Sequence, residues 1–351
     1  MKTSHRSLMA VAAIITMSFI SCSGNKSSSS SEAAKLQGAG ASFPAPLYEK
    51  WFKDYSASHN GVHIDYQSIG SGAGVKSVID KTVDFGASDA AMTAEEMAKV
   101  DGGVQLLPLT GGCIVLTYNL KGVTGLKLSR QAYAGIFLGK VKKWSDPLIA
   151  KDNAGVALPD LPINVVVRAD GSGTTFVFTK HLSAISPEFA QNPGNNILPN
   201  WPTGTRSKGN EGVTASVMTT PGAIGYIEFG YAKSQNLPMA TLENKSGSFV
   251  VPSTASGTAA LASAQFPEDL IAWVPDPDGK DSYPIATYTW LICYKQYNDK
   301  GKLQLLQDLL TYCVTDGQKE SEALGYLPLP QAVADKDKAA IQTMTLAPNA
   351  T

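Results

Sequence analysis

The chain is poor in the residues that carry covalent and metal chemistry, with four cysteines and four histidines among 351 residues. No C-x-x-C spacing occurs, so nothing points to a structural zinc site. His59 and His63 flank Asn60-Gly61, a turn signal that keeps them off one helix face, where a helical zinc pair would have to lie. Charge of one sign is also lacking. Lysine and arginine number 29 against 30 acids, whereas a nucleic-acid partner calls for a clustered basic excess. No G-x-x-x-x-G-K-[ST] run is present, and no cofactor is expected. No internal repeat of fixed period is visible, and no long apolar run follows the first 21 residues.

What those first residues contain bears on compartment. Lys2 and Arg6 precede an apolar stretch from Leu8 to Ile20, broken only by Thr16 and Ser18. That is shorter than the roughly 20 residues a membrane-spanning helix needs, and it has the form of an export signal. The stretch ends Phe19-Ile20-Ser21-Cys22. A small residue before a cysteine resembles the processing site of bacterial lipoproteins, in which the cysteine is lipidated. The other reading is an ordinary signal with a cysteine nearby. The polar stretch Ser23 to Ser31 favours the lipoprotein reading, since it has no apolar periodicity and suits a flexible tether. The expectation is therefore a signal over 1–21 and a lipidated terminus with linker over 22–33, anchored at Cys22. Loss of the signal removes Lys2 and Arg6 and no acid, leaving 27 basic against 30 acidic residues. The remaining length, about 330 residues, suggests two domains.

Cys113, Cys293 and Cys313 sit in apolar strand-like or helical patterns and read as buried thiols. Being odd in number, they leave at least one unpaired within the chain. The body alternates short strands and helices. Val62, Ile64 and Tyr66 alternate along a strand. Leu47, Trp51 and Tyr55 recur every four residues on a helix that Pro46 can open. Thr93-Ala94-Glu95-Glu96 is a capping-box pattern. Further strands are expected at 82–86, 112–118, 163–168, 223–226 and 287–294. Helices are expected around 75–79, 129–137, 174–182 and 228–236, and one bearing Leu303, Leu306, Leu310 and Cys313. Residues 240–282 read as loop plus one weak helix. The alternation argues for α/β architecture with a largely parallel sheet.

Four segments share one form, an apolar run, then a loop of Gly, Ser, Thr or Asp, then a helix start. They are Gly38 to Phe43, Ile69 to Gly74, Phe85 to Asp89 and Arg168 to Thr174. Glycine lets backbone approach a ligand, Ser and Thr supply hydroxyl donors, and helix N-termini present unpaired N–H groups with partial positive charge. One such loop is an ordinary helix cap. Four in one chain, one beside an arginine that ends an apolar strand, suggest a converging anion site.

The ordered motifs Gly-Ala-Gly-Ala-Ser-Phe-Pro-Ala-Pro (38–46), Ile-Gly-Ser-Gly-Ala-Gly-Val-Lys (69–76), Val-Asp-Phe-Gly-Ala-Ser-Asp-Ala (83–90), Arg-Ala-Asp-Gly-Ser-Gly-Thr (168–174) and Pro-Gly-Ala-Ile-Gly-Tyr (221–226) closely resemble the phosphate-binding protein of bacterial phosphate-specific ABC importers, the PstS family. The resemblance implies a two-lobed type II periplasmic-binding-protein fold with the ligand cleft between lobes. Lobe 1 would combine 34–112 with 284–351, and lobe 2 would span 113–283. By that likeness Ser42 and Ser71 give hydroxyls to inorganic phosphate and Phe43 gives its backbone N–H. Arg168 supplies the cationic contact and is held by Asp170. Ser172, Gly173 and Thr174 form a helix end aimed at the anion, and Asp89 accepts a hydrogen bond from the phosphate O–H. Ser42 stands where the family often has Thr, and the hydroxyl is kept. The implied partners are phosphate and the membrane permease of an ABC importer, for a monomer at the periplasmic side of a membrane that it touches only through its lipid anchor.

Other readings are a binder of another tetrahedral oxyanion, or a serine hydrolase or phosphatase. Gly86-Ala87-Ser88-Asp89-Ala90 is one residue short of a G-x-S-x-G elbow. None of His59, His63 and His181 has a recognisable triad context, so no enzyme activity is expected. Sulfate and molybdate carry no proton at neutral pH, so Asp89 argues against both.

Overall fold

The computed structural model describes residues 34–348 and residue 350. The export signal, Cys22 and the tether lie outside the described residues. Eight strands form one sheet: β1 (Ala34–Gly40), β2 (Val62–Ser68), β3 (Phe85–Ser88), β4 (Val104–Tyr118), β5 (Asn164–Arg168), β6 (Thr205–Ser207), β7 (Ala223–Glu228) and β8 (Ala286–Tyr294). Their order is β2-β1-β3-β8-β4-β7-β5-β6.

Each end of this sheet is parallel, with β1 beside β2 and β3 at one end and β5 beside β6 and β7 at the other. The expectation of a largely parallel sheet needs correction at the centre. There β8 runs antiparallel to both β3 and β4, and β4 runs antiparallel to β7. The reason is the length of β4. Only 112–118 read as a strand, because Pro108 and two glycines mask the first half, yet the strand begins at Val104. Up to Cys113 it pairs with β8, and from Ile114 it pairs with β7. One strand thus belongs to both halves of the sheet.

Helices cover the sheet faces: α1 (Ala45–Ser58), α2 (Ser71–Ile79), α3 (Gly173–Ile185), α4 (Gly209–Thr219), α5 (Phe229–Ser234), α6 (Lys300–Cys313) and α7 (Gln331–Ile341). In α1 the buried stripe is Leu47, Tyr48, Trp51, Phe52 and Tyr55, as its four-residue spacing dictates. Full burial of each such side chain contributes roughly 1.5–3 kcal/mol. α6 returns to pack on β1 and α1, and the Trp51 indole N–H donates to the Gly317 carbonyl (2.6 Å). The last helix, α7, was not expected. Its buried stripe is Val333, Ala334, Asp337 and Ile341, and an acid in the middle hides the apolar period. The stretch 240–282 holds short strands and the helix Thr254–Leu261, close to its loop-plus-helix reading. Cys113, Cys293 and Cys313 are buried free thiols.

Candidate anion-binding site

The four Gly/Ser loops end at neighbouring points between the two halves of the sheet. Ser42 follows β1, Ser71 opens α2, Asp89 follows β3, and Arg168 ends β5 ahead of α3. Ser42, Ser71, Asp89 and Arg168 are each 1% exposed, and Ser172 and Thr174 are fully buried. The loops are brought together rather than scattered. A Cβ placed on Gly173 would lie 2.5 Å from Ser71 Oγ and 2.6 Å from Asp89 Oδ2, so only glycine lets the start of α3 close against those two residues.

Local rules explain how each group is held. Ser172 caps α3, its hydroxyl accepting from Thr175 N–H (3.0 Å). The first turn of a helix has no backbone acceptors for its own N–H groups, so those of Gly173 and Thr174 face outward. Gly70 takes φ 92° just ahead of α2, a positive-φ backbone that a side chain resists. The Phe43 ring packs inward against Gly112, and its carbonyl accepts from the Tyr326 hydroxyl (2.7 Å), which fixes the backbone on which its N–H lies.

Arg168 is clamped. Its Nε donates to Asp170 Oδ1 (2.9 Å), its Nη2 to Asp170 Oδ2 (2.5 Å) and its Nη1 to Thr174 Oγ1 (3.3 Å). Burial would raise the Asp170 carboxyl, but the guanidinium and the Gly209 N–H (3.0 Å) outweigh it and hold the group below its ordinary value. Asp89 goes the other way. Burial pushes it up to about 7, against the pull of the Thr289 hydroxyl, the Arg168 charge and Thr174. A buried carboxylate near neutrality beside a fixed guanidinium is an environment in which one proton decides what fits.

The cleft is closed. Gly72 N–H donates to the Gly171 carbonyl (2.9 Å), Tyr231 OH to the Ser42 carbonyl (2.6 Å), and Ser68 Oγ to Glu211 (2.8 Å). Each bond joins the lobe of β1–β3 to the lobe of β5–β7. Roomier hollows of about 430 and 520 Å³ lie elsewhere, bordered by Asp84 and Lys302 or by Phe266 and Lys336. None of the gathered donors lines them, so volume is a poor guide here and chemistry the better one.

Two residues of the cluster were missed in the sequence. Thr289 donates to Asp89 Oδ1 (2.8 Å) from β8, beside a bulge that leaves Leu109 of β4 unmatched. Asn210, second residue of α4, donates to Ser42 and to Thr174. Ser207-Lys208-Gly209-Asn210 has the same strand, Gly loop and helix form as the other four segments and was the available signal.

Fold and site together define a two-lobed type II periplasmic-binding-protein architecture, with its polar cluster in the cleft between lobes. The comparisons agree. A family model described as a PBP superfamily domain matches residues 25–316. The chain is 42% identical over 316 residues to the phosphate-binding protein PstS of Pasteurella multocida, covering 89% of this chain and 91% of that one. It is 39% identical over 325 residues to PstS of Methanocaldococcus jannaschii, covering 85% and 83%. Among solved structures it superposes on a phosphate-binding protein from Stenotrophomonas maltophilia with a TM-score of 0.71, at 21% identity, over 87% of this chain and 93% of that one. The chain belongs to the PstS family of phosphate-binding proteins.

Proposed function

We propose that this protein captures inorganic phosphate with high affinity outside the inner membrane and delivers it to the permease of an ABC importer. The observation that carries this is the buried cluster of Ser42, Ser71, Asp89, Arg168 and Thr174, in a chain whose relatives are named phosphate-binding proteins. Ser42, Ser71, Ser172 and Thr174 would donate hydroxyls, Phe43, Gly173 and Thr174 backbone N–H groups, and Arg168 a charge-assisted contact with Asp170 holding it in place. An anion leaving water loses solvation worth tens of kcal/mol by Born estimates, and many fixed donors plus one cation replace it. Asp89 would accept the phosphate O–H. A carboxylate only accepts, so it favours an anion that carries a proton and repels one that does not.

In this reading lobe 1 combines 34–112 with 284–351 and lobe 2 spans 113–283, which the change of partners along β4 supports. Hinge closure across those crossings buries the ligand. Anchoring through Cys22 would keep the protein, as a monomer, at the periplasmic side of its membrane. A catalytic role is not part of this reading. The Ser88 hydroxyl donates to the Ala90 carbonyl, and His59, His63 and His181 bond to Tyr55, Asp65 and Tyr133, so among the described residues no histidine is paired with Ser88.

Titration calorimetry at pH 9, where Asp89 is ionised, with phosphate, arsenate and sulfate tests the binding step. Phosphate and arsenate, each with an O–H, are expected to bind far more tightly than sulfate. Equal affinity for sulfate would refute it. Growth on limiting phosphate without the protein tests delivery.

A further inference from the structure

Asn210 sits where the two lobes meet, and the direction of its side-chain amide is fixed. Its Oδ1 faces the backbone N–H of Glu228 (2.9 Å). A backbone N–H can only donate, so the oxygen must lie on that side and Nδ2 on the other. Nδ2 lies 2.8 Å from Ser42 Oγ and 3.1 Å from Thr174 Oγ1, and the Asn210 backbone N–H adds a second bond to Ser42 Oγ (3.0 Å).

A hydroxyl has two lone pairs and one hydrogen. Ser42 Oγ accepts from two N–H groups of Asn210, so both lone pairs are engaged. Thr174 Oγ1 accepts from Asn210 Nδ2 and from Arg168 Nη1, neither of which can accept in return. Each hydroxyl therefore has only its hydrogen left to offer, that of Thr174 lying within reach of Asp89 as well as of an anion. Ser42 comes from the lobe of β1–β3, and Thr174 and Asn210 from the other, so the Ser42 half of this arrangement exists only when the cleft is closed.

We propose that Asn210 is a positioning residue that makes Ser42 and Thr174 obligate donors toward an anion between the lobes, and that it couples this orientation to closure. The proposal rests on the phosphate reading above. Corners of the anion facing Ser42 and Thr174 must then be bare oxygens, which directs the single proton of monohydrogen phosphate to Asp89. A dihydrogen anion meets two hydroxyls that cannot accept its second proton.

The test is a mutant cycle on the full chain, read by phosphate titration. Asn210→Ala removes both side-chain donations. Asn210→Asp is nearly isosteric and keeps the acceptor for Glu228 N–H, which guards against misfolding of the alanine variant. Either change is expected to weaken phosphate at pH 8 by about tenfold or more; in a Ser42→Ala/Thr174→Val background Asn210→Ala should do far less, and Asn210→Asp should lose less than in the parent. Repulsion by the new aspartate persists in that background, so the difference isolates orientation. Asn210→Ala should also raise affinity at pH 5.5 relative to pH 8, compared with the unmodified protein, because freed hydroxyls can accept from dihydrogen phosphate. A purely structural role would lower stability without moving that ratio. Equal losses in both backgrounds, or an unchanged pH ratio, would overturn the proposal. If Ser42→Ala/Thr174→Val itself leaves phosphate binding intact, the site assignment fails first and the proposal with it.

Discussion

Sulfate binding as a function of pH gives the most demanding test of Asp89. Its carboxyl is pushed up to about 7 by burial, the Thr289 hydroxyl and the Arg168 charge opposing. Sulfate brings no proton at neutral pH, so it can sit beside Asp89 only when Asp89 carries one. Binding is then linked to the fraction of free protein already protonated there. Below pH 7 that fraction is near one and sulfate affinity is flat. Above pH 7 it falls tenfold per unit, or about 1.4 kcal/mol each. From pH 6 to 9 the affinity for sulfate should drop about a hundredfold, close to 2.7 kcal/mol. Asp89→Asn abolishes the slope. Thr289 still donates to the side-chain oxygen, which turns the amide N–H toward the anion at every pH. The variant should bind sulfate at pH 8 as the protonated parent does at pH 6, and its preference for phosphate should shrink. Competition titrations of both anions on both proteins from pH 6 to 9, at constant ionic strength, read this directly. A sulfate slope above pH 7 that survives in Asp89→Asn would show that Asp89 is not the proton-sensing group.

Three further outcomes follow from particular contacts. Gly173→Ala places a methyl carbon against Ser71 and Asp89; overpacking of this kind costs about 1–3 kcal/mol, so phosphate affinity should fall roughly ten- to hundredfold, with small-angle scattering showing a more open molecule. Arg168→Lys loses the two-pronged pairing with Asp170 and the bond to Thr174, and phosphate affinity should drop by about tenfold or more; a titration matching the parent would refute a guanidinium role. Asp337 is fully buried with neither carboxylate oxygen hydrogen-bonded, and burial raises it to about 9. Because the folded value lies above the unfolded one, its contribution is most favourable below pH 4 and is lost as pH rises towards 9, by several kcal/mol at most. Asp337→Leu should raise the denaturation midpoint at pH 8 much more than at pH 4, and parallel stability curves would contradict the assignment.

The parts of this protein that could be read in one dimension are those whose physics is local. A glycine loop ahead of a helix start, a serine that caps, and an arginine two residues from its aspartate all act within a few positions, and these make Ser71, Arg168, Asp170, Ser172, Gly173 and Thr174 legible in the sequence. The sheet was harder, because Pro108 and two glycines interrupt β4, while its pairing first with β8 and then with β7 is decided by strands that lie far along the chain. Thr289 was illegible for the same reason, and for Asn210 the loop form was there to be read but not its partner. Their partners Ser42 and Asp89 are 168 and 200 residues away, and an asparagine or threonine carries no pattern that names so distant a partner. Groups that meet an anion must offer a fixed chemistry, and their types can be guessed. The groups that aim them answer to geometry alone, since a hydroxyl becomes a donor or an acceptor according to what occupies its other sites. Selectivity between two tetrahedral anions of equal size is a matter of hydrogen direction, so much of it resides in these aiming residues.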